Sequence, residues 1–156
     1  MEEGESIDET VSSSADTRAR LLRERVAIEP RWLEVSGRSM EPTIVAPARL
    51  LVSHADAPRL GEIWVFVDDD DRILAHRFLR RVGELHRFEG DGEAWPDPLV
   101  GAGRLVGRAT IVADVDGERP VRRRRALALW MSIRHAVERR RVTIWRLIAS
   151  RFDVER

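Results

Sequence analysis

Short apolar runs separated by Gly, Pro and Asp clusters fill residues 31–116, and a helix-compatible stretch flanks them on each side. The run Trp32-Leu33-Glu34-Val35 predicts a first strand and residues 48–53 a second. Residues 61–67 predict a third, and their nearly unbroken apolar run suits burial on both faces. Further strands are expected over residues 72–79 and 84–89, with a closing one over residues 100–115 built on Leu105, Val106, Ala109, Ile111 and Val112. The spacing predicts a compact, mostly β domain, closer to a coiled or partly closed barrel than to a βαβ sheet. Asp16 or Thr17 suits the cap of a short helix over residues 17–30, which Pro30 ends. Residues 1–16 are acidic, Ser-rich and poor in large apolar groups, so a flexible tail is expected there.

Beyond Pro120 the pattern changes. Residues 122–150 contain no Gly or Pro and carry Leu127, Trp130, Met131, Val137, Ile144 and Ile148 at helical spacing among many arginines. A basic amphipathic helical segment over residues 120–150 follows, with Arg139-Arg140-Arg141 as a candidate break. Such a segment can pack on its own domain, join a partner protein or lie on an anionic membrane surface. The whole chain balances 27 basic against 27 acidic side chains, but residues 121–156 hold 11 Arg against 3 acids, a net of +8, leaving −8 on the preceding 120. No recognised reading module surrounds the arginines, so no specific nucleic-acid partner is expected.

Composition narrows the chemistry. Cys and Lys are both absent, which excludes disulfides, thiolate metal sites, a cysteine nucleophile and a lysine base. A serine nucleophile here has only histidine or a carboxylate to activate it. Asp68-Asp69-Asp70-Asp71 lacks the spaced oxygen ligands of a calcium loop and reads as an exposed hairpin connection. The four histidines lack metal-ligand spacing, and no cofactor or metal is expected. No apolar run reaches the roughly 20 residues of a membrane-spanning helix, and the acidic start lacks a signal peptide's basic region. The expected location is cytoplasmic, with peripheral attachment at a membrane through the basic segment as the variant of that reading.

The segment Val35-Ser36-Gly37-Arg38-Ser39-Met40-Glu41-Pro42-Thr43-Ile44 follows the first predicted strand. Gly37 admits backbone angles closed to other residues and Pro42 fixes its own φ, so Ser39 sits in a framed turn. By itself this is a Gly/Ser/Pro turn or a rigidly presented hydroxyl. Among the histidines, His76 has the most suggestive setting, sharing a predicted strand face with Leu74 and Phe78. His54 reads as a loop residue, His86 as an edge-strand residue and His135 as part of the basic helix.

Gly-Arg-Ser-Met-Glu-Pro-Thr-Ile resembles the nucleophile box of the signal peptidase and LexA-type serine peptidase superfamily. His76-Arg77-Phe78, 37 residues after Ser39, resembles the His-Arg-Val segment of its archaeal, endoplasmic-reticulum and sporulation-type signal peptidases, which use histidine as base. Residues 61–66, Gly90-Asp91 and Val106-Gly107-Arg108-Ala109 resemble further elements of that branch, and the likeness spans about residues 34–112. The resemblance implies Ser39 as nucleophile, His76 as general base and Asp91 as the orienting acid, with Asp97 as its substitute. It further implies an oxyanion met by backbone N–H groups including that of Ser39, with Gly37 permitting close approach, and Met40 and Pro42 placing the serine beside a substrate channel. The implied activity is a serine endopeptidase that cleaves a dedicated peptide or protein substrate. The alternatives are a non-catalytic or self-processing regulatory module on the same fold, and a membrane-surface or partner-binding scaffold acting through the C-terminal helix. Residues 1–30 are too short and acidic for a helix-turn-helix repressor domain.

Overall fold

A computed structural model of the chain describes the backbone of residues 6–137 and the side chains from residue 14 onward. One antiparallel sheet runs in the order β1 (Arg31–Val35), β2 (Ala48–Ser53), β7 (Leu105–Asp114), β3 (Ile63–Val67), β4 (Ile73–Val82), β5 (Leu85–Glu89) and β6 (Val100–Gly101). An eighth strand, β8 (Gly117–Pro120), pairs with the end of β7. The sheet curls into an open half-barrel, bringing β1 back to touch β4. Helix α1 (Ser6–Ile28) lies across β7 and β3, and residues 125–137 form a C-terminal helix. The fold is mostly β with a helix at each end, as the strand spacing implied.

β3 shows why the sheet is covered on two sides. Its residues are all buried, and because successive side chains of a strand point to opposite faces they feed two cores. Ile63, Val65 and Val67 join Leu50, Val52 and Val106 with Ala15, Ala19 and Val26 of α1. Trp64 and Phe66 join Phe78, Phe88, Val100 and Leu105. Burying each large side chain stabilises the fold by roughly 1.5–3 kcal/mol, so the central strand fixes the frame on which β4 and β7 hang.

Three boundaries differ from the sequence reading. Helix α1 begins at Ser6, so residues 6–16 are helical rather than a flexible tail. No Gly or Pro interrupts them, and once Ala15 and Ala19 are buried against the sheet, extending the helix adds one hydrogen bond for each residue fixed. The β domain also continues to Pro120, past the expected limit at residue 116, because Gly117 takes φ +96° and turns the chain back as β8. The predicted closing strand divides into β6, a short 3-10 turn and β7. The aspartate run does connect β3 to β4, with Asp68 accepting backbone bonds from Asp70 and Arg72. Of the basic segment, residues 138–150 lie outside the described residues, as do residues 1–5 of the expected tail.

The β7–β8 hairpin also braces the turn before β2. The fully buried Asp114 carboxylate accepts from both terminal nitrogens of Arg119, at 2.5 and 2.7 Å, and from the backbone N–H of Val45 at 3.3 Å. Arg119 donates a further bond to the Thr43 carbonyl at 3.1 Å. The Arg119 hydrogen bond is the largest influence holding the Asp114 carboxyl below its ordinary 3.8, at about 2. A carboxyl with a depressed folded pKa stabilises the fold above its unfolded value and loses that contribution as pH falls through the folded one. Asp114→Asn should therefore cost on the order of 1–2 kcal/mol at neutral pH, discounted for the partial exposure of Arg119. Urea unfolding should show the variant losing less stability than the wild type between about pH 5 and pH 2.

Candidate active site

β1 ends at Val35 and delivers the chain into the tight segment that carries Ser39, which is half-buried. Backbone bonds from Glu41 to the Arg38 carbonyl and from Ile44 to the Met40 carbonyl, each 3.0 Å, close successive turns, and the Glu41–Pro42 peptide is cis. Gly37 has φ +90°, where L side chains are strained. A Cβ added there would meet nothing within 4 Å. The backbone angle, not crowding by the chain itself, therefore explains this glycine. Met40 is buried in the core shared with α1, and its sulfur accepts the Asp91 N–H at 3.4 Å. It anchors the turn from within instead of lining an open channel.

β4 supplies the next groups. Adjacent residues of a strand face opposite ways, so His76 and Arg77 reach different surroundings. His76 lies on the Phe66 side, its ring edge-on to Phe66 at 6.0 Å, and its side chain is 5% exposed. Its Nε2 stands 2.8 Å from the Ser39 hydroxyl oxygen, and its Nδ1 stands 2.7 Å from Asp97 Oδ2. With Asp97 ionised, Nδ1 carries the proton and donates it to the carboxylate, which leaves Nε2 to accept from the Ser39 hydroxyl.

Asp91, the expected orienting acid, is occupied elsewhere. Arg77 Nε donates to its Oδ1 at 2.7 Å and Arg77 Nη2 to its Oδ2 at 2.5 Å, with both side chains almost wholly buried. The Thr43 hydroxyl also donates to Oδ2. A carboxylate held in a bidentate fork on the far face of β4 has no geometry left for the imidazole, so the structure places Asp97, not Asp91, against His76. Pro96 and Pro98 flank the residue that reaches the ring. Asp97 is fixed through its backbone: its N–H donates to the Phe88 carbonyl at 3.0 Å, and its own carbonyl accepts from Arg87 at 2.9 Å.

The loop between β5 and β6 is pressed onto the serine turn. A Cβ on Gly90 would lie 2.4 Å from the Ser39 carbonyl oxygen, and one on Gly92 would lie 2.9 Å from the Glu41 carbonyl oxygen. Close approach is thus required at Gly90 and Gly92, and Gly92 N–H donates to the Ser39 carbonyl at 2.8 Å. Sequence reasoning missed Gly92, Arg77 and Thr43 as builders of the site. The Thr43 signal was present in the Pro-Thr pair but carried no indication of its partner.

The remaining histidines stand apart from this chain of bonds. His54 is exposed near Asp56. His86 is buried against Phe78 and Phe88, and burial pushes its pKa down. His135 is buried against Glu89, a stronger tertiary role than its place in a basic helix suggested. Among the described residues no cluster of three or more His, Asp or Glu is placed to hold a metal ion. Comparison with protein-family models finds none that matches the chain, and comparison with curated proteins finds no match either.

The two aspartates should separate by experiment. Removing one member of a buried ion pair leaves an uncompensated charge and costs about 3–5 kcal/mol. Asp91→Ala should therefore lower unfolding stability by about that amount, whereas Asp97→Asn, which keeps size and hydrogen-bonding capacity at a partly exposed site, should stay within about 1 kcal/mol of the wild type in urea titrations.

Proposed function

We propose that the protein is a serine endopeptidase of the signal peptidase-like type, acting through Ser39, His76 and Asp97. The observation that carries this reading is the continuous hydrogen-bonded chain from the Ser39 hydroxyl through the His76 ring to the Asp97 carboxylate. A serine hydroxyl becomes a useful nucleophile when a neighbouring base takes its proton, and the carboxylate stabilises the imidazolium that forms. Ser39 Oγ attacks the scissile carbonyl carbon as its proton passes to His76 Nε2. Collapse of the tetrahedral adduct breaks the C–N bond, and His76 returns the proton to the leaving amine. Water then attacks the Ser39 ester and gives a proton to His76, which returns it to Ser39 Oγ as the ester C–O bond breaks and the new carboxylate terminus is released. The backbone N–H of Ser39 is the proposed oxyanion donor, in line with the family resemblance.

An extended peptide suits the surroundings. β1 is an end strand of the sheet and runs directly into the Ser39 turn, so a substrate strand added along it would bring its carbonyl toward the hydroxyl. A cavity of about 630 Å³, lined by Phe66, Leu74, Asp97, Pro98 and the Asp68–Asp70 run among others, lies beside Asp97. It offers a substrate side chain an apolar floor with a charged rim, in which Arg72 and Arg104 pair with Asp68, Asp69 and Asp70.

Ser39→Ala and His76→Ala should each abolish turnover of a peptide library, and Asp97→Asn should reduce kcat by about 10³- to 10⁴-fold, all with circular dichroism unchanged. Cleavage by Ser39→Ala at the wild-type rate would sink the proposal.

One observation favours a second, surface-binding role. Leu129, Trp130, Ile133 and Val137 line the outward side of the C-terminal helix, each about half exposed, within a segment of net charge +8. That net charge favours an anionic membrane surface as the occupant of this face, where each arginine near the lipid would contribute on the order of 1 kcal/mol. No helix among the described residues is long and apolar enough to cross a membrane, so the contact would be interfacial. The protein should co-sediment with phosphatidylserine-containing vesicles at low salt and be released at high salt, and Trp130→Glu with Ile133→Glu should weaken that binding. Sedimentation independent of vesicles would remove this role.

A further inference from the structure

The C-terminal helix reaches the site's acidic loop through a buried carboxylate. The helix is tethered at its start, where Arg124 N–H donates to the Gly61 carbonyl at 3.1 Å and Arg123 Nε to the Leu60 carbonyl at 2.8 Å. Ala128 and Met131 then pack against Leu79 with Leu60 and Leu127. The next turn presents Arg134 and His135 to Glu89, the last residue of β5, whose side chain is wholly buried. Arg134 Nη2 donates to Glu89 Oε1, and His135 Nε2 donates to Oε2.

The same two residues hold the loop that follows. Arg134 Nη2 donates to the carbonyls of Glu93 and Ala94 at 3.3 and 3.4 Å, and the His135 ring stacks on Trp95 at 6.2 Å. Residues 93–95 lead directly to Asp97, whose backbone is bonded to Phe88 and Arg87 of the same β5 strand. At its other end the loop is bonded to Ser39 through Gly92. Burial pushes the Glu89 carboxyl up, with the negative charge of Asp97 adding to the effect, while His135 and Arg134 oppose it. Arg77, which faces Glu89 across the β4–β5 ladder, gives its hydrogen bonds to Asp91 and Gly61. The helix is therefore the source of the cations that compensate this carboxylate.

We propose that Arg134 and His135 are positioning residues: through Glu89 and residues 93–95 they hold the Asp97 loop in register with Ser39, so the docked helix sets the competence of the site. This rests on the peptidase reading for its catalytic consequence, while the loop-holding itself does not. Undocking the helix would leave Glu89 buried without its helix cations beside Asp97 and would free the loop that spaces Asp97 from the serine turn.

The test uses the full chain with Arg134→Ala, His135→Ala and the conservative Arg134→Lys. Hydrogen exchange read by mass spectrometry should show residues 90–98 exchanging about 10-fold faster in both alanine variants, with protection of β2, β3 and β7 retained. Ser39-dependent peptide turnover should fall about 10- to 100-fold in kcat with KM within about 2-fold, because misplaced groups lose rate more than binding. Arg134→Lys should recover most of both signals. Unchanged exchange at residues 90–98 would overturn the proposal whatever the turnover. So would a loss of protection spread evenly over the whole sheet, or faster loop exchange with wild-type kcat. If the loop exchanges faster but the wild type shows no Ser39-dependent cleavage, the peptidase reading fails and the holding role stands.

Discussion

Arg77 brings a guanidinium into a part of the molecule where its side chain is wholly buried, and a charge so placed must be answered by fixed partners or it costs several kcal/mol. The network around it draws on three separate stretches. Asp91 supplies a two-oxygen fork from the loop after β5, Gly61 supplies a carbonyl from the approach to β3, and Thr43 joins from the serine turn by bonding Asp91. This one cation thereby ties together β4, the serine turn and the loop that bears Asp97. The site can be assembled from residues distant in sequence because the pieces carrying them are pinned to a common buried charge.

The hydrogen-bonded chain of Ser39, His76 and Asp97 lies on the other side of the same strand. β4 turns His76 toward Phe66 and the second core, so the imidazole stands between Ser39 and Asp97 in surroundings that exclude most water. Two aspartates six positions apart divide the work: Asp91 supports the frame and Asp97 meets the imidazole. Gly90 and Gly92 allow this division, because only residues without a side chain let the loop come within reach of the Ser39 and Glu41 carbonyls.

The two helices serve the half-barrel differently. α1 covers one core of the sheet with small residues and binds the rim through Arg23 and Asp16. The C-terminal helix packs one side on Leu79 and Glu89 and leaves the opposite side apolar and open to solvent. Its inner side adjoins the loop of Asp97 and its outer side is free to meet another surface, so one element links the neighbourhood of the site to the outside.

Much of the fold was legible in the residues. Alternation, apolar runs and turn chemistry gave β2 at its observed limits and the other long strands to within a few residues, because the alternating burial of β2 and the unbroken apolar run of β3 are both written locally in the sequence. Ser39 and His76 were legible too, since a framed turn after a strand and a histidine on an apolar strand face are local patterns, and the family resemblance joined them. Residues 6–16 were misread because their low hydrophobicity conceals a helix that the sheet stabilises through Ala15 and Ala19. β8 was missed because a four-residue strand of Gly, Glu, Arg and Pro has no apolar pattern and exists through its pairing with β7. The choice between Asp91 and Asp97 was beyond the sequence for a related reason. Both stand in one turn-rich loop, and which meets the imidazole depends on which face of β4 each is delivered to, a matter settled by the buried charge of Arg77 and by the packing of residues far apart in the chain.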